Sequence, residues 1–218
     1  MGKGGLCPPT IFLSSKYLIM TNQYFIIHKP FGVLSQFTDE DGNLGLGSVF
    51  NLPKDVYPVG RLDKDSEGLL IITNDKSLNN QLLNPKFMHW RSYWIEVEGR
   101  PSAFTMSKLE NGVEINLKGK LHKTAPAKVK ILHPQPIIIE RNPPVNYLKH
   151  PERTWIEIKL REGKNRQVRK MTALVGHPTL RLIRVAIEGL QLGELPPGEY
   201  LALDEAAIRT SLFQHQKR

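Results

Sequence analysis

Cysteine is almost absent. Cys7 is the single one in 218 residues, which excludes an internal disulfide framework and a cysteine-built metal centre and fits a reducing, intracellular, cytoplasmic setting. Long apolar runs are missing too. No stretch approaches the roughly 20 residues of a transmembrane helix. The short apolar pieces before Asn22 are broken by Pro8, Pro9 and Lys16, so no signal peptide is expected either. There is no G-x-G-x-x-G turn and no strand–helix alternation of the dinucleotide-binding kind. Acids are the scarcer charge: 21 Asp and Glu face 30 Lys and Arg, a net charge of +9. That excess favours a polyanionic partner, most simply nucleic acid.

What is present reads as one α+β domain with a largely antiparallel or mixed sheet. YFIIHKP (24–30) predicts a strand stopped by Pro30, and VYPVG (56–60) and LLIIT (69–73) predict short strands. SYWIEVEG (92–99) and TWIEIKL (154–160) alternate with period two, and TLRLIRVAI (179–187) is a further strand. APAKVKIL (125–132) and QPIIIE (135–140) read as a strand pair, and RNPPVNYLKHPER (141–153) as a surface loop. Helices are expected over 75–85 with Asp75 as N-cap, over 102–112 with Ser102 as N-cap, and over 164–176 ending at Gly176. Regular patterning begins only after Met20, which makes Met20 a candidate translation start.

Against the basic background, GRLDKDSEGLLIITND (60–75) gathers Asp63, Asp65, Glu67 and Asp75. D-K-D-S-E-G matches the first half of an EF-hand loop, but its twelfth position is Asn74 where a bidentate Glu belongs, and β-branched residues follow. Two readings remain for Asp63. It can be a catalytic carboxylate in a loop held by strands, or an ordinary turn residue beside Arg61 and Lys64. A second unusual stretch runs from Lys164 to Ile187, with six basic residues and no acid. A run so unmixed in sign suggests phosphate contacts.

Four blocks decide between these readings: HKPFGVLSQF (28–37), GRLDKDSEGLLIITND (60–75), RSYWIEVEG (91–99) and EGKNRQVRKMTALVGHPTLRLIRV (162–185). In this order, spread over residues 26 to 192, they resemble the RsuA-type rRNA pseudouridine synthases. QFTDEDG (36–42) together with RNPPV (141–145) looks most like a branch acting on large-subunit, 23S rRNA. The resemblance implies a pseudouridine synthase fold, a mixed, largely antiparallel sheet flanked by helices with a central cleft. It implies a catalytic domain over 22–210, an N-terminal tail at 1–21 in place of the S4 RNA-binding domain of many relatives, and a C-terminal tail at 211–218. Such enzymes cut the N1–C1′ bond of one uridine, turn the uracil and rejoin it through C5, without cofactor or metal. RNA is the implied partner and a monomer the expected state.

The resemblance also assigns residues. Asp63 is the catalytic nucleophile, Tyr93 and Arg169 complete the catalytic set, and Leu182 packs on the uracil. Arg61, Leu62, Lys29, Lys164, Arg166 and Lys170 are expected on the substrate RNA. The assignments make chemical sense. Loss of uracil builds positive charge at C1′, which a carboxylate can stabilise or bond, and removal of a proton from C2′ is an alternative use of Asp63. A tyrosine offers a stacking face and a hydroxyl for proton transfer at C5. The target base must leave its stack to reach them. On a helix from Lys164, advancing roughly 100° per residue, Val168, Met171, Thr172 and Val175 share the buried face. Arg166 and Lys170 then face solvent and RNA, and Arg169 reaches the cleft to pair with Asp63. The sequence departs from the family pattern at Ser66 and Lys76, where relatives often have Thr and Gly. His28 and His177 read as structural or RNA-facing groups, since the seven histidines lack metal-binding spacings. The rival reading is a catalytically silent RNA-binding assembly factor on the same fold, and a third is a synthase acting on another RNA.

Overall fold

A computed structural model describes residues 21–214. Cys7, Met20, most of the expected N-terminal tail and the last four residues lie outside that range. The described chain runs β1 (Tyr24–Lys29), β2 (Tyr57–Pro58), β3 (Glu67–Thr73), α1 (Lys76–Leu83), β4 (Arg91–Glu98) and α2 (Ala103–Glu110). A hairpin follows, β5 (Glu114–Leu117) and β6 (Lys120–Lys123), then β7 (Lys128–Ile131), β8 (Arg153–Leu160) and α3 (Gln167–Leu174). The chain closes with β9 (Thr179–Ile187), β10 (Leu190–Gln191), β11 (Tyr200–Leu203) and α4 (Glu205–Phe213). None of these helices is long and apolar enough to cross a membrane.

Nine strands form one sheet with central order β11-β1-β3-β9-β4-β8-β7, in which β2 pairs β3 and β10 pairs β9. Every pairing is antiparallel except β3 with β9. This is the expected α+β class. Period-two alternation sends side chains to two faces. Ile27, Leu70, Ile72, Tyr93, Ile95, Ile158 and Leu182 face one core, which α2 and α3 cover with Met106, Leu109, Val168 and Met171. Leu69, Ile71, Trp155 and Ile183 face the other, covered by Leu78 and Leu82 of α1 and Ile208 and Leu212 of α4. All seven residues of β3 are buried, as befits a central strand sealed on both faces.

Helix α1 starts where expected: Asp75 accepts from the backbone N–H of Ser77 and Leu78, and Ser102 caps α2 through Thr105. Other expectations need correction. Helix α3 begins at Gln167, because Arg166 has left-handed backbone, φ 52° and ψ 31°. Residues 135–140 form no strand. Pro136 removes one ladder donor from that segment, which lies in the long connection between β7 and β8. The β5–β6 hairpin, β10, β11 and α4 carried no clear sequence signal; α4 runs to Phe213 with Leu212 buried, past the boundary expected at 210.

The β3–β9 contact is unusually close. Gly68 lies against Arg184, and a Cβ at Gly68 would stand 2.3 Å from the Arg184 carbonyl oxygen, so no side chain is admitted there. One residue away, Glu67 and Arg181 meet through two hydrogen bonds of 2.8 Å, with side chains 1% and 3% exposed. Breaking one partner of such a buried pair strands a charge. Arg181→Met is therefore expected to destabilise the fold by about 3–5 kcal/mol in urea denaturation, and Glu67→Met/Arg181→Met by distinctly less. Equal losses in single and double variants would show that the pair contributes packing alone.

Candidate active site

Residues 60–66 connect β2 to β3 across the mouth of the first core. Leu62 anchors the segment. It is buried, its N–H donates to the Ser35 hydroxyl, and that hydroxyl donates back to the Leu62 carbonyl. Asp63 follows with its side chain 31% exposed, and a turn closes behind it as Ser66 N–H donates to the Asp63 carbonyl. The next carbonyl, of Lys64, accepts from Gly32 N–H at 2.9 Å and from Lys29 Nζ at 3.4 Å. Lys29 was expected on the RNA. It is fully buried instead, and its ammonium also donates to the carbonyls of Pro30 and Val33. The lysine ties the end of β1 to the Asp63 loop from inside.

Two side chains from the basic block meet this loop from the other side. Arg166 places both terminal nitrogens on the two oxygens of Asp65, at 2.8 and 2.7 Å, and its Nη1 lies 3.8 Å from Asp63 Oδ2. Arg169 sets Nε 3.3 Å from Asp65 Oδ2 and donates through Nη2 to the Asp65 carbonyl. Burial opposes ionisation of Asp65, but the Arg166 hydrogen bonds and the two guanidiniums outweigh it and hold the carboxyl below its ordinary range. The expected Asp63–Arg169 pair is thus replaced by a shared arrangement. Arg169 grips Asp65, and Arg166 is the guanidinium nearer Asp63. Arg166 is exposed, as the helical wheel had it, but it precedes the helix with left-handed backbone, and its guanidinium is taken by Asp65.

Behind Asp63, one transverse row crosses the sheet. Lys29 registers with Gly68, Gly68 with Arg184, Arg184 with Tyr93, and Tyr93 with Ile158. Tyr93, Leu62 and Leu182 all belong to the larger buried core on one side of the sheet. Arg184, not singled out from sequence, is buried, registers with Tyr93 between β9 and β4, and donates through Nε to the Leu69 carbonyl at 2.7 Å. Arg61 and Lys164 are exposed, and neither side chain makes a hydrogen bond or ion pair among the described residues. Lys170 donates to the Asn116 carbonyl and so holds the β5–β6 hairpin. Glu67 and Asp75 are structural, as expected, through Arg181 and the cap of α1. Among the described residues no group of three or more His, Cys, Asp or Glu side chains is gathered to hold a metal ion.

Residues 23–174 match the RNA pseudouridylate synthase family. The chain belongs to that family. It is 44% identical over 182 residues to the ribosomal large subunit pseudouridine synthase E of Vibrio parahaemolyticus, covering 84% of this chain and 74% of the relative. It is 46% identical over 173 residues to the protein of the same name from Xanthomonas axonopodis pv. citri, covering 79% of this chain and 89% of that one. A crystal structure of a pseudouridylate synthase superimposes with a TM-score of 0.72 at 25% identity, over 89% of this chain and 76% of that chain. The RNA pseudouridylate synthase fold is therefore established here, and with it membership in an isomerase family.

In this family member the Asp63 loop rests on a buried ammonium with an unusual titration. Burial drives Lys29 down from 10.5 to about 8, with Glu67, Asp65 and Asp63 opposing the fall. Between those values the unfolded chain holds more protons than the folded one, so this group's contribution to stability rises with pH. The parent is expected to gain up to about 3 kcal/mol over Lys29→Met between pH 8 and 10.5, read as the difference in their unfolding free energies. A difference that is flat across this range would mean that Lys29 titrates as an ordinary lysine.

Proposed function

We propose that the chain isomerises one uridine of large-subunit ribosomal RNA to pseudouridine, with Asp63 as the catalytic carboxylate. The observation that carries the residue assignment is the contrast between the two neighbouring aspartates. Asp65 has both oxygens taken up by guanidiniums, whereas Asp63 has only the 3.8 Å approach of Arg166. The acid left with free lone pairs, next to buried Leu62, is the one able to act on a ribose. The large-subunit target follows from the similarity to the E-type synthases.

In this reading the uridine leaves its stack and enters between Tyr93 and the leucines Leu62 and Leu182. As the N1–C1′ bond breaks, the Asp63 carboxylate meets the positive charge at C1′, by a covalent bond or by taking the C2′ proton. Arg166 and Arg169, anchored on Asp65, fix the loop that carries that carboxylate. Uracil turns and bonds through C5, and the Tyr93 hydroxyl handles the C5 proton. Exposed Arg61 and Lys164 meet RNA phosphates at the rim.

Asp63→Asn should abolish pseudouridine formation in 23S rRNA while leaving RNA affinity within about threefold. Turnover within about tenfold of the parent, only ~1.4 kcal/mol in the barrier, would defeat the assignment. Mapping pseudouridine in rRNA from cells lacking the gene tests the target directly, and no missing large-subunit site would contradict it.

The clamp makes its own prediction. Arg166→Ala and Arg169→Ala should both lower the rate at saturating RNA, by roughly tenfold to a hundredfold, because each frees Asp65 and loosens the loop. Arg169→Lys should recover only part of it, since an ammonium cannot reproduce the fork. Loss of affinity alone in Arg166→Ala would return that residue to the RNA surface.

A further inference from the structure

We propose that Arg141 is a binding site for a phosphodiester of the RNA strand that carries the target nucleotide. This deepens the RNA reading above and rests on it. Arg141 lies in the long connection between β7 and β8. That connection is pinned to the body at Ile139, whose carbonyl accepts from Arg181 at 2.8 Å, and at Val145, which is buried. The Arg141 guanidinium lies over the ring of Phe31 at 3.9 Å. Phe31 belongs to the turn that bonds the Asp63 loop through Gly32 and Lys64. Arg141 is therefore placed at the mouth of the site by an aromatic platform one link from the catalytic loop.

Its charge has no acid to meet. The acids around the site are engaged elsewhere: Asp65 by Arg166 and Arg169, Glu67 by Arg181, and Glu96 by Arg153 at 3.1 Å, while Asp63 has Arg166 at 3.8 Å. Arg141 makes no ion pair with any described residue, although Glu96 and Arg169 both feel its charge. Its Nη1 donates to the Pro143 carbonyl at 2.7 Å, and its Nε is buried with no acceptor. Lys29 and Arg184, also without an ion pair among the described residues, are buried and turned to backbone carbonyls, whereas Arg61 and Lys164 are exposed and unpaired. Arg141 joins Arg61 and Lys164 in giving the site surplus positive charge, and of these three it alone rests on an aromatic ring. With Nη1 on the Pro143 carbonyl and Nε buried, Nη2 has no acceptor among the described residues, and an unfilled guanidinium donor suits a phosphate oxygen. Stacking on Phe31 also fixes the side chain in advance, which reduces the entropy lost on binding.

The test is steady-state pseudouridine formation on an in vitro transcript of 23S rRNA across a range of KCl concentrations. Arg141→Ala should raise KM about tenfold near 0.1 M salt, keep kcat within about twofold, and make the log(1/KM) against log[KCl] slope shallower by about 0.7, one phosphate's share on a single strand. Arg141→Lys should keep most of the parent slope, because it keeps the charge, with KM between the two. Phe31→Leu should raise KM with the slope unchanged, since only the platform is lost. An unchanged slope in Arg141→Ala would overturn the proposal, and so would a fall in kcat at constant KM, which would make Arg141 part of the clamp on the acidic loop. A parent enzyme that neither binds nor modifies the transcript would instead overturn the large-subunit reading itself.

Discussion

Two guanidiniums on one carboxylate hold this site together. Arg166 and Arg169 converge on Asp65, and the consequence falls on its neighbour two residues away. A carboxylate saturated with hydrogen bonds is a poor reagent but a good anchor, so Asp65 fixes the loop and Asp63 stays free. The anchor is partly exposed, and an isolated pair there would contribute little. Its strength comes from company: the two-pronged geometry of Arg166, the bond of Arg169 to the Asp65 backbone, and Lys29 pulling on the Lys64 carbonyl from the core. The loop is held from outside and from inside at adjacent residues.

The sheet supplies the second half of the arrangement. Lys29, Gly68, Arg184 and Tyr93 fall on one line across four strands, so a single pleat sets the distance from the loop tether to the tyrosine. Gly68 is what lets β9 approach β3, and the approach brings Arg181 to Glu67 and Arg184 to Tyr93. Burying this many charges costs desolvation energy. The return is geometric: the acidic loop cannot shift without breaking bonds to Lys29, Arg166 and Arg169.

Much of this was legible in the sequence. Alternating strands, the Asp75 and Ser102 caps, the strand before Pro30 and the family blocks are local signals, and the structure has them within a few residues of where they were read. The errors share a cause. Arg166 was placed by helical geometry, but its left-handed backbone, which a non-glycine residue seldom adopts, sets it ahead of the helix, and its partner Asp65 is remote in sequence. Lys29 looked like a surface charge because lysine usually is one, and only tertiary contacts supply the three carbonyls that take it inside. Residues 135–140 were apolar enough for a strand, but Pro136 interrupts the run of ladder donors. The pairing of Glu67 with Arg181 and the stacking of Arg141 on Phe31 join residues more than a hundred positions apart, and nothing local announces them.

The single parallel contact, β3 against β9, also bears on the order in which the molecule can be made. Synthesis delivers β1, the Asp63 loop and β3 early, and these can pair among themselves. Glu67 then waits for Arg181, which follows 114 residues later, and Asp65 waits for Arg166 and Arg169. Until the last third of the chain has left the ribosome, the acids stand without their cations and the tyrosine without its arginine. The acidic loop is therefore completed late and nearly at once, with α3 and the strand that locks the sheet.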